Sequence, residues 1–185
     1  KNHKELAEMS VSQILHLAEI EDQKKGSYHA TELWQKVEEA EMEGALRATV
    51  EKDAQVILEK FKERDFLISI FTNNSSLVAK KVLEKFHLSG YIDRLITRDL
   101  VKNLKPHPEG LLLLKDKFLN HVKKMFFIGD SWVDGLAANR AKIPFIGFNC
   151  SDPREVEMLL NVADLYELKD FLIKECFHGR EDSVI

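Results

Sequence analysis

The spacing of hydrophobic positions changes near residue 65 of the chain. From residue 1 to about residue 64, apolar residues recur every three to four positions, which is the spacing of amphipathic helices. The stretch "KKGSY" at 24–28 interrupts this pattern, and Gly44 marks a second interruption. After Asp65, short apolar runs alternate with segments of helical spacing. The sequence therefore predicts a helical first third followed by mixed structure.

The part of the chain after Asp65 predicts β-strands that alternate with helices. Strands are predicted at 66–71, 94–97, 125–129, 144–148 and 163–167. Helices are predicted at 75–86, 108–118, 132–142, 153–160 and 168–176. Because the strands are apolar on both faces, they favour a parallel sheet covered by helices, and the predicted fold class is α/β.

Composition and charge exclude several classes of protein. The chain has 185 residues, of which 44% are hydrophobic and 31% charged, as in an ordinary globular domain. Its formal net charge of -4 comes from 27 basic and 31 acidic residues with no long block of one sign. This pattern offers no basic surface for nucleic acid, and the apolar runs are too short to span a bilayer. We therefore expect neither a nucleic-acid partner nor a membrane partner.

The cysteines and the first residues bear on the cellular compartment. Cys150 and Cys176 lie far apart without metal-binding spacing, which favours ordinary thiols in a reducing compartment over a disulfide. The start of the chain has no apolar segment of the kind that forms a secretory signal. Because the first residue is Lys1 and not Met, we expect either a processed N-terminus or a start inside a longer protein. We expect a cytoplasmic protein that is a monomer or a homodimer.

Polar residues follow the first predicted strand where it ends. They are Thr72, Asn73, Asn74 and Ser75. The carboxyl ends of parallel strands share one edge of a sheet, where ligands bind. A hydroxyl and free N–H groups at a helix start form an anion site for phosphate, although the same residue types are the preferred helix N-caps. Lys105, between Leu104 and Pro106, either aims its ammonium at an anion or lies on the surface in a turn.

Two carboxylates follow the strand predicted at 125–129. Asp130 comes at the strand end, and Asp134 lies one helical turn further on, so both could reach one ion. A small number of carboxylates that leaves room for water and phosphate is typical of Mg²⁺ sites. The structural alternative makes Asp130 a helix N-cap and Asp134 a first-turn acid that the helix dipole favours.

Three motifs in this order resemble motifs II, III and IV of the haloacid dehalogenase-like (HAD) hydrolase superfamily: "FLISIFTNNS", "LKPHPEG" and "FFIGDSWVDGLAANRA". The resemblance extends from about residue 66 to residue 148. Within the superfamily, "KPHPEGLLLL" and the form "GDSxxDxxAA" are most similar to the phosphoglycolate phosphatase-like branch. The resemblance implies a Rossmann-like core, with helices on both faces of a parallel sheet, and a small helical cap.

The resemblance also implies roles for individual residues. Thr72 would supply the phosphate-binding hydroxyl, with Asn73 beside it, and Lys105 would bridge the phosphate and the nucleophile. Asp130 would be the main Mg²⁺ carboxylate, and Asp134 would support the metal or its waters. Two further residues are candidates for substrate contacts: Asn74, which follows Asn73, and Trp132, which lies close to Asp130 in the sequence.

The implied function is Mg²⁺-dependent hydrolysis of a small phosphorylated metabolite, with phosphoglycolate as the first guess, through an aspartyl-phosphate. A phosphotransferase or mutase would share these motifs and remains an alternative. A receiver-like signalling domain also combines Asp, Thr and Lys around Mg²⁺, but its phosphorylated Asp precedes its Thr and Lys. Here the "GDSWVD" acids come last, which argues against that class. A catalytically inactive binding protein is the third possibility.

The nucleophile of this superfamily lies in a motif of the form DxDGT at the end of the first strand. No such stretch occurs in the sequence, whose only aspartates before position 99 are Asp22, Asp53, Asp65 and Asp93. The missing strand would lie between the strands that end at Thr72 and at Gly129. Without it, those strands would stand about 10 Å apart, twice the ladder spacing of about 4.8 Å. We therefore expect a further segment of roughly 10 to 20 residues upstream of Lys1.

The expected domain organisation follows from this family pattern. Residues 1–47 would form the helical cap, 48–177 the α/β core and 178–185 a loose tail. A cap closes over the site, excludes water and selects the substrate. Candidate cap contacts are Tyr28, His29 and Trp34, each of which could equally pack within the cap.

Overall fold

The computed structural model describes residues 11–26, 29–118 and 120–177. Two helices come first, α1 (Val11–Lys25) and α2 (His29–Arg47). Trp34 of α2 donates its indole N–H to Glu19 of α1 at 2.9 Å, which joins the two helices. The predicted helical character of the first third is confirmed for the residues described, but the predicted interruption at Gly44 is wrong because α2 continues through it to Arg47. The predictions for residues 1–10, for Tyr28 and for the tail at 178–185 lie outside them.

The elements that follow alternate between helices and strands. The helices are α3 (Ala54–Lys62), α4 (Ser76–Lys85), α5 (Glu109–Phe118), α6 (Trp132–Ala141) and α7 (Leu165–Phe177). The strands are β1 (Ser69–Phe71), β2 (Arg94–Ile96), β3 (Phe127–Gly129), β4 (Phe145–Phe148) and β5 (Leu160–Val162). The first four strands are confirmed at the predicted places, and each is shorter than its apolar run.

The predicted strand at 163–167 is wrong. The strand at this point is β5, which ends before it, and α7 begins at Leu165. The carboxylate of Asp164 accepts the N–H groups of Tyr166 and Glu167 at 2.8 and 2.9 Å. A side chain that accepts these first N–H groups starts a helix, because they have no partner inside the helix itself. The predicted helix at 168–176 is confirmed within α7.

The predicted helix at 153–160 is also wrong. These residues form turns and irregular structure that lead into β5. The side-chain amide of Asn139 in α6 donates to the Glu157 carbonyl at 2.8 Å and accepts the Glu157 N–H at 2.9 Å. Val156 and Met158, two positions apart, both pack against the core that α6 helps to form. These tertiary contacts hold the segment in a non-helical conformation despite its helical spacing.

All strand pairings among the described residues are parallel, as predicted. β1 pairs with β2, with Phe71 opposite Ile96. In a second sheet the order is β3, β4, β5, with Gly129 opposite Gly147. Phe145 and Ile146 of β4, 1% and 0% exposed, lie in different cores because neighbouring strand residues point to opposite faces.

Helices cover both faces of this parallel arrangement. On one face, α5 and α6 pack around Phe71, Leu111, Ala138 and Phe145. On the other face, α3 and α7 pack around Ile57, Phe61, Ile146, Leu168 and Leu172. The α/β prediction is confirmed by these two layers. Within the described residues, no helix has the length and apolar character needed to cross a bilayer.

An apolar groove of about 840 Å³ lies between β1 and β3. Residues 66–69 line it beside β1, residues 125–128 line it beside β3, and Ile57, Phe61 and Leu111 contribute apolar side chains. Among the described strands, β1 pairs only with β2, and β3 pairs only with β4. β1 and β3 therefore do not pair with each other, and a missing strand between them stays a prediction.

Asp93 fixes the start of β1 from the neighbouring loop. Its carboxylate accepts the Ile68 N–H at 2.7 Å and pairs with the Lys62 ammonium at 2.8 Å. Burial raises the pKa of Asp93, but the hydrogen bonds from Lys62 and Ile68 and the charge of Lys62 lower it more, so the pKa lies below its usual value. The ionised carboxylate therefore stabilises the fold.

We expect Asp93→Asn to lower the free energy of unfolding by about 1 kcal/mol at pH 7. Because folding lowers this pKa, the stabilisation is present above the unfolded pKa of about 3.9 and is lost as the pH falls through the folded value. Urea denaturation at pH 7 and pH 3 measures both quantities. The control is Asp170→Asn, which removes an exposed carboxylate that pairs with Lys169. Equal losses for the variant at both pH values would contradict the prediction.

Candidate active site

Lys105 is aimed into the protein at the ends of β1 and β3. Its ammonium donates to the Phe71 carbonyl at 3.0 Å and to Asp134 Oδ1 at 2.6 Å. The side chains of Lys105 and Asp134 are only 12% and 9% exposed. The ammonium also lies 5.2 Å from the ring centroid of Phe71 and 5.7 Å from that of Phe127. The surface alternative for Lys105 is therefore wrong.

Asn73 holds the main chain of Lys105 from both sides. Its Oδ1 accepts the Lys105 N–H at 2.9 Å, and its Nδ2 donates to the Lys105 carbonyl at 3.1 Å. This paired contact joins the loop after β1 to the loop that carries the lysine. The phosphate-binding role of Asn73 stays a prediction, and the side chain has a structural task in positioning Lys105.

Thr72 is not the N-cap of the following helix. The N-cap of α4 is Ser75, which is 3% exposed and accepts the Val78 N–H at 3.3 Å. Thr72 Oγ1 accepts the Asn74 N–H at 3.1 Å and so shapes the loop between β1 and α4. The capping alternative for this stretch is therefore confirmed at Ser75 and not at Thr72, and the phosphate-binding role of Thr72 stays a prediction.

Asp130 lies exposed at the end of β3. The N-cap of α6 is the next residue, Ser131, whose hydroxyl accepts the Asp134 N–H at 3.3 Å. The capping alternative for Asp130 is therefore wrong as well. An exposed carboxylate at a strand end, with no capping task of its own, is suited to a ligand or an ion.

Asp134 is 6% exposed and lies in the first turn of α6. Besides the contact with Lys105, its Oδ2 accepts the Ser131 hydroxyl at 2.5 Å. The structure brings Asp134 together with Lys105, while Asp130 lies on the exposed side of the strand end. The metal role of Asp134 stays a prediction, and its contacts give it the task of holding the lysine.

Gly129 permits this approach of Asp134 to the end of β3. A Cβ atom at residue 129 would lie 2.5 Å from the Asp134 Cβ, which is closer than two carbon atoms can pack. We expect Gly129→Ala to displace Asp134 from Lys105 and to lower the free energy of unfolding by about 1 to 3 kcal/mol. Thermal denaturation against Gly90→Ala, where nothing lies within 4 Å of the added atom, is the measurement. Equal stability of the two variants would contradict this packing argument.

The donors at the strand end fit Mg²⁺. This ion is usually held by one or two carboxylates together with waters and substrate phosphate oxygens. Asp130 supplies an exposed carboxylate at the edge where the Lys105 ammonium also lies. Among the described residues, no three His, Cys, Asp or Glu side chains form a cluster that would suit a closed protein site for a metal.

The other predicted contacts have different surroundings. Trp132 stacks under the Arg154 guanidinium, 4.2 Å from the ring centroid, in the loop before β5. The Asn74 carbonyl accepts the Arg98 N–H at 3.2 Å. In the helical part, His29 lies 3.4 Å from Asp22. Substrate contact by Trp132 and Asn74 stays a prediction.

Sequence reasoning missed the residues at the end of β2. Arg98 and Asp99 come one residue after this strand. The rule used for β1 and β3 would have drawn attention to them. Burial raises the pKa of Asp99, but hydrogen bonds from Ser76 and Thr97 and the charge of Arg98 lower it more, so the pKa lies below its usual value. Its carboxylate accepts the Ser76 N–H at 2.6 Å, which fixes the start of α4.

The sequence and the fold resemble those of known proteins. Residues 1–148 match the haloacid dehalogenase-like hydrolase family. A phosphoglycolate phosphatase of Pasteurella multocida is 32% identical over 90 residues, which are 49% of this chain and 40% of that protein. The chain thus spans about two-fifths of the length of this curated relative.

Solved structures share the arrangement of strands and helices. A HAD-superfamily hydrolase from Geobacter sulfurreducens is 28% identical with a TM-score of 0.61, covering 70% of this chain and 64% of that chain. A HAD-hydrolase from Bacillus subtilis, solved with bound magnesium, is 18% identical with a TM-score of 0.65, covering 89% of this chain and 73% of that chain. These similarities confirm the predicted Rossmann-like fold.

Proposed function

The chain belongs to the haloacid dehalogenase-like hydrolase family, and on that premise we propose that the native protein hydrolyses the phosphate monoester of a small phosphorylated metabolite with Mg²⁺. The single observation that carries the proposal is the buried Lys105 ammonium at the ends of β1 and β3. A fixed cation in a largely water-excluded place stabilises the negative charge of a transferring phosphoryl group. Phosphoglycolate is the first candidate substrate, by similarity to the curated relatives.

The described residues divide the work of binding and charge stabilisation. Thr72 offers its hydroxyl to a phosphate oxygen, Lys105 offers its ammonium, and Asn73 and Asp134 hold that lysine. Asp130 would hold Mg²⁺, which, when bound, lowers the energy of negative charge on the phosphate oxygens. The helices α1 and α2, within the expected cap at 1–47, exclude water and select the substrate over the core at 48–177.

We further propose that the nucleophile lies on a strand of the same protein seated in the groove between β1 and β3. An apolar strand there would pair with both facing edges and join the two sheets into one. Its carboxyl end would bring an aspartate beside Lys105 and Asp130. The aspartate oxygen would form a bond to phosphorus as the ester P–O bond breaks and the alcohol leaves. Water would then cleave the aspartyl-phosphate and release inorganic phosphate.

The experiment is a phosphate-release assay of the native protein on glycolate, sugar and nucleotide monophosphates, with Mg²⁺ and with EDTA. We expect release of inorganic phosphate that requires Mg²⁺. Isomerised or transferred phosphoryl product without free phosphate would favour a mutase or phosphotransferase instead. Binding of inorganic phosphate without turnover of any substrate would favour the inactive binding protein and contradict the proposed hydrolysis.

A further inference from the structure

Arg98 forms a largely buried cluster with one face of helix α2. Its side chain is 9% exposed and pairs with Glu41 at 2.5 Å and with Glu38 at 3.8 Å. The guanidinium also stacks on Trp34, 4.7 Å from the ring centroid. Residues 34, 38 and 41 are separated by four and three positions, so they lie on one face of the helix. Arg98 thus comes from the α/β core and is held by three residues on one face of α2.

The same cluster reaches the loop that follows β1. The second oxygen of the Glu41 carboxylate, Oε2, accepts the Ser75 N–H at 3.4 Å. The main-chain N–H of Arg98 donates to the Asn74 carbonyl at 3.2 Å. The loop at 72–75 is therefore held on one side by the contact between Asn73 and Lys105, and on the other side by Glu41 and Arg98.

We propose that Arg98 is a positioning residue that couples the seating of α2 to the geometry of the loop at 72–75. The guanidinium fixes Glu41, and Glu41 in turn fixes the Ser75 N–H at the start of α4. Loss of the contact between Arg98 and Glu41 therefore releases the loop that carries Thr72, whereas loosening the C-terminal end of α2 leaves the loop in place as long as that contact is kept. The consequence for phosphate affinity rests on the proposed function, while the coupling itself does not.

Arg98 also lines a cleft beside this cluster, which connects the coupling to substrate binding. It has a volume of about 630 Å³, and it is lined by residues of α2 and by residues of the α/β core. Trp34 and Glu38 line it on the side of α2, whereas Leu104 and Pro106, which flank Lys105, line it on the side of the core. Because Arg98 also lines the cleft, its loss changes the wall as well as the loop. The part of a substrate beyond its phosphate would lie here.

A second tie between α2 and the core supplies a matched control. The Lys85 ammonium donates to the carbonyls of Ala45, Leu46 and Ala48 at 3.1, 2.7 and 2.9 Å, at the end of α2. Lys85 is the last residue of α4, and the loop at 72–75 precedes the first residue of that helix. Lys85→Met therefore weakens the seating of α2 without touching the loop.

The test compares Arg98→Gln, Arg98→Lys and Lys85→Met in the native protein by hydrogen exchange. We expect Arg98→Gln to speed exchange of the Ser75 and Ser76 amides as well as those of α2, and Lys85→Met to speed exchange in α2 alone. Arg98→Lys retains the charge and should restore part of the protection. Unchanged exchange at Ser75 in Arg98→Gln, or equal acceleration there in Lys85→Met, would overturn the coupling.

Calorimetric titration with inorganic phosphate measures the effect on the site. We expect Arg98→Gln to weaken phosphate binding about tenfold, and to raise KM by a similar factor with kcat nearly unchanged. Lys85→Met should leave the phosphate affinity at the wild-type value. Absence of both phosphate binding and phosphate release in the wild-type protein would refute the proposed function, and the exchange comparison would still decide the coupling.

Discussion

Replacing Lys105 by Met is expected to slow phosphate release by about 100- to 1,000-fold, because it removes a fixed charge that stabilises the transferring group. The same change leaves Asp134 buried without its cation. Breaking a buried ion pair by removing one partner costs roughly 3 to 5 kcal/mol of folding free energy. Steady-state kinetics and urea denaturation measure the two losses separately.

Two companion variants separate the losses. Lys117→Met removes an exposed lysine of α5 that lines neither the groove nor the cleft, and should leave both kinetics and stability unchanged. Combining Lys105→Met with Asp134→Asn removes the unpaired charge and should regain part of the stability, with turnover still lost. If the Lys105→Met protein turns over at the wild-type rate, Lys105 has no part in the proposed chemistry.

The sequence predicted most of the fold because buried apolar residues recur at one spacing in helices and at another in strands. The four strands near 66–71, 94–97, 125–129 and 144–148 are short buried runs, and their neighbours carry clear turn residues. The two errors lie between 153 and 167. There, a single capping carboxylate at Asp164 and the paired amide contact of Asn139 decide the structure. Neither contact is visible in hydrophobic spacing.

The candidate site divides in the same way. Thr72, Asp130 and Asp134 were predicted because they follow strand ends, and Lys105 because of its place in the turn before Pro106. The structure brings this lysine to Asp134 across 29 positions of sequence. The sequence did not say which aspartate would pair with the lysine, because Asp130 and Asp134 both lie within five residues of the end of β3. The two aspartates differ in burial in the folded protein. Asp134 is buried and packs against Gly129, whereas Asp130 is exposed.

The cluster around Arg98 could not be predicted from spacing. Arg98 and Glu41 are 57 positions apart, and each alone is an ordinary charged residue of a loop or a helix. Only the packing of α2 against the core brings them together. This is why sequence reasoning assigned cap contacts to aromatic residues, of which Trp34 is found in the cluster. The signal that the sequence offered was a charged residue, Arg98, close to the end of β2.

Asp130→Asn is the second variant with a large expected effect. We expect phosphate release to fall by at least about 100-fold, because an amide is a poorer Mg²⁺ ligand than a carboxylate and the metal supplies several kcal/mol of charge stabilisation. The Mg²⁺ concentration for half-maximal activity should rise. Kinetics over a Mg²⁺ series measures both.

The exposure of Asp130 makes this variant the sharper test of function. Because neither α6 nor Lys105 depends on that carboxylate, the free energy of unfolding should change by no more than about 0.5 kcal/mol. Asp116→Asn, an exposed aspartate of α5, serves as the control and should match the wild type in both measurements. Lost turnover with retained stability would therefore distinguish Asp130, the proposed metal ligand, from Asp134, which holds Lys105. Undiminished turnover would instead exclude Asp130 from the metal site and leave Asp134 as the remaining candidate.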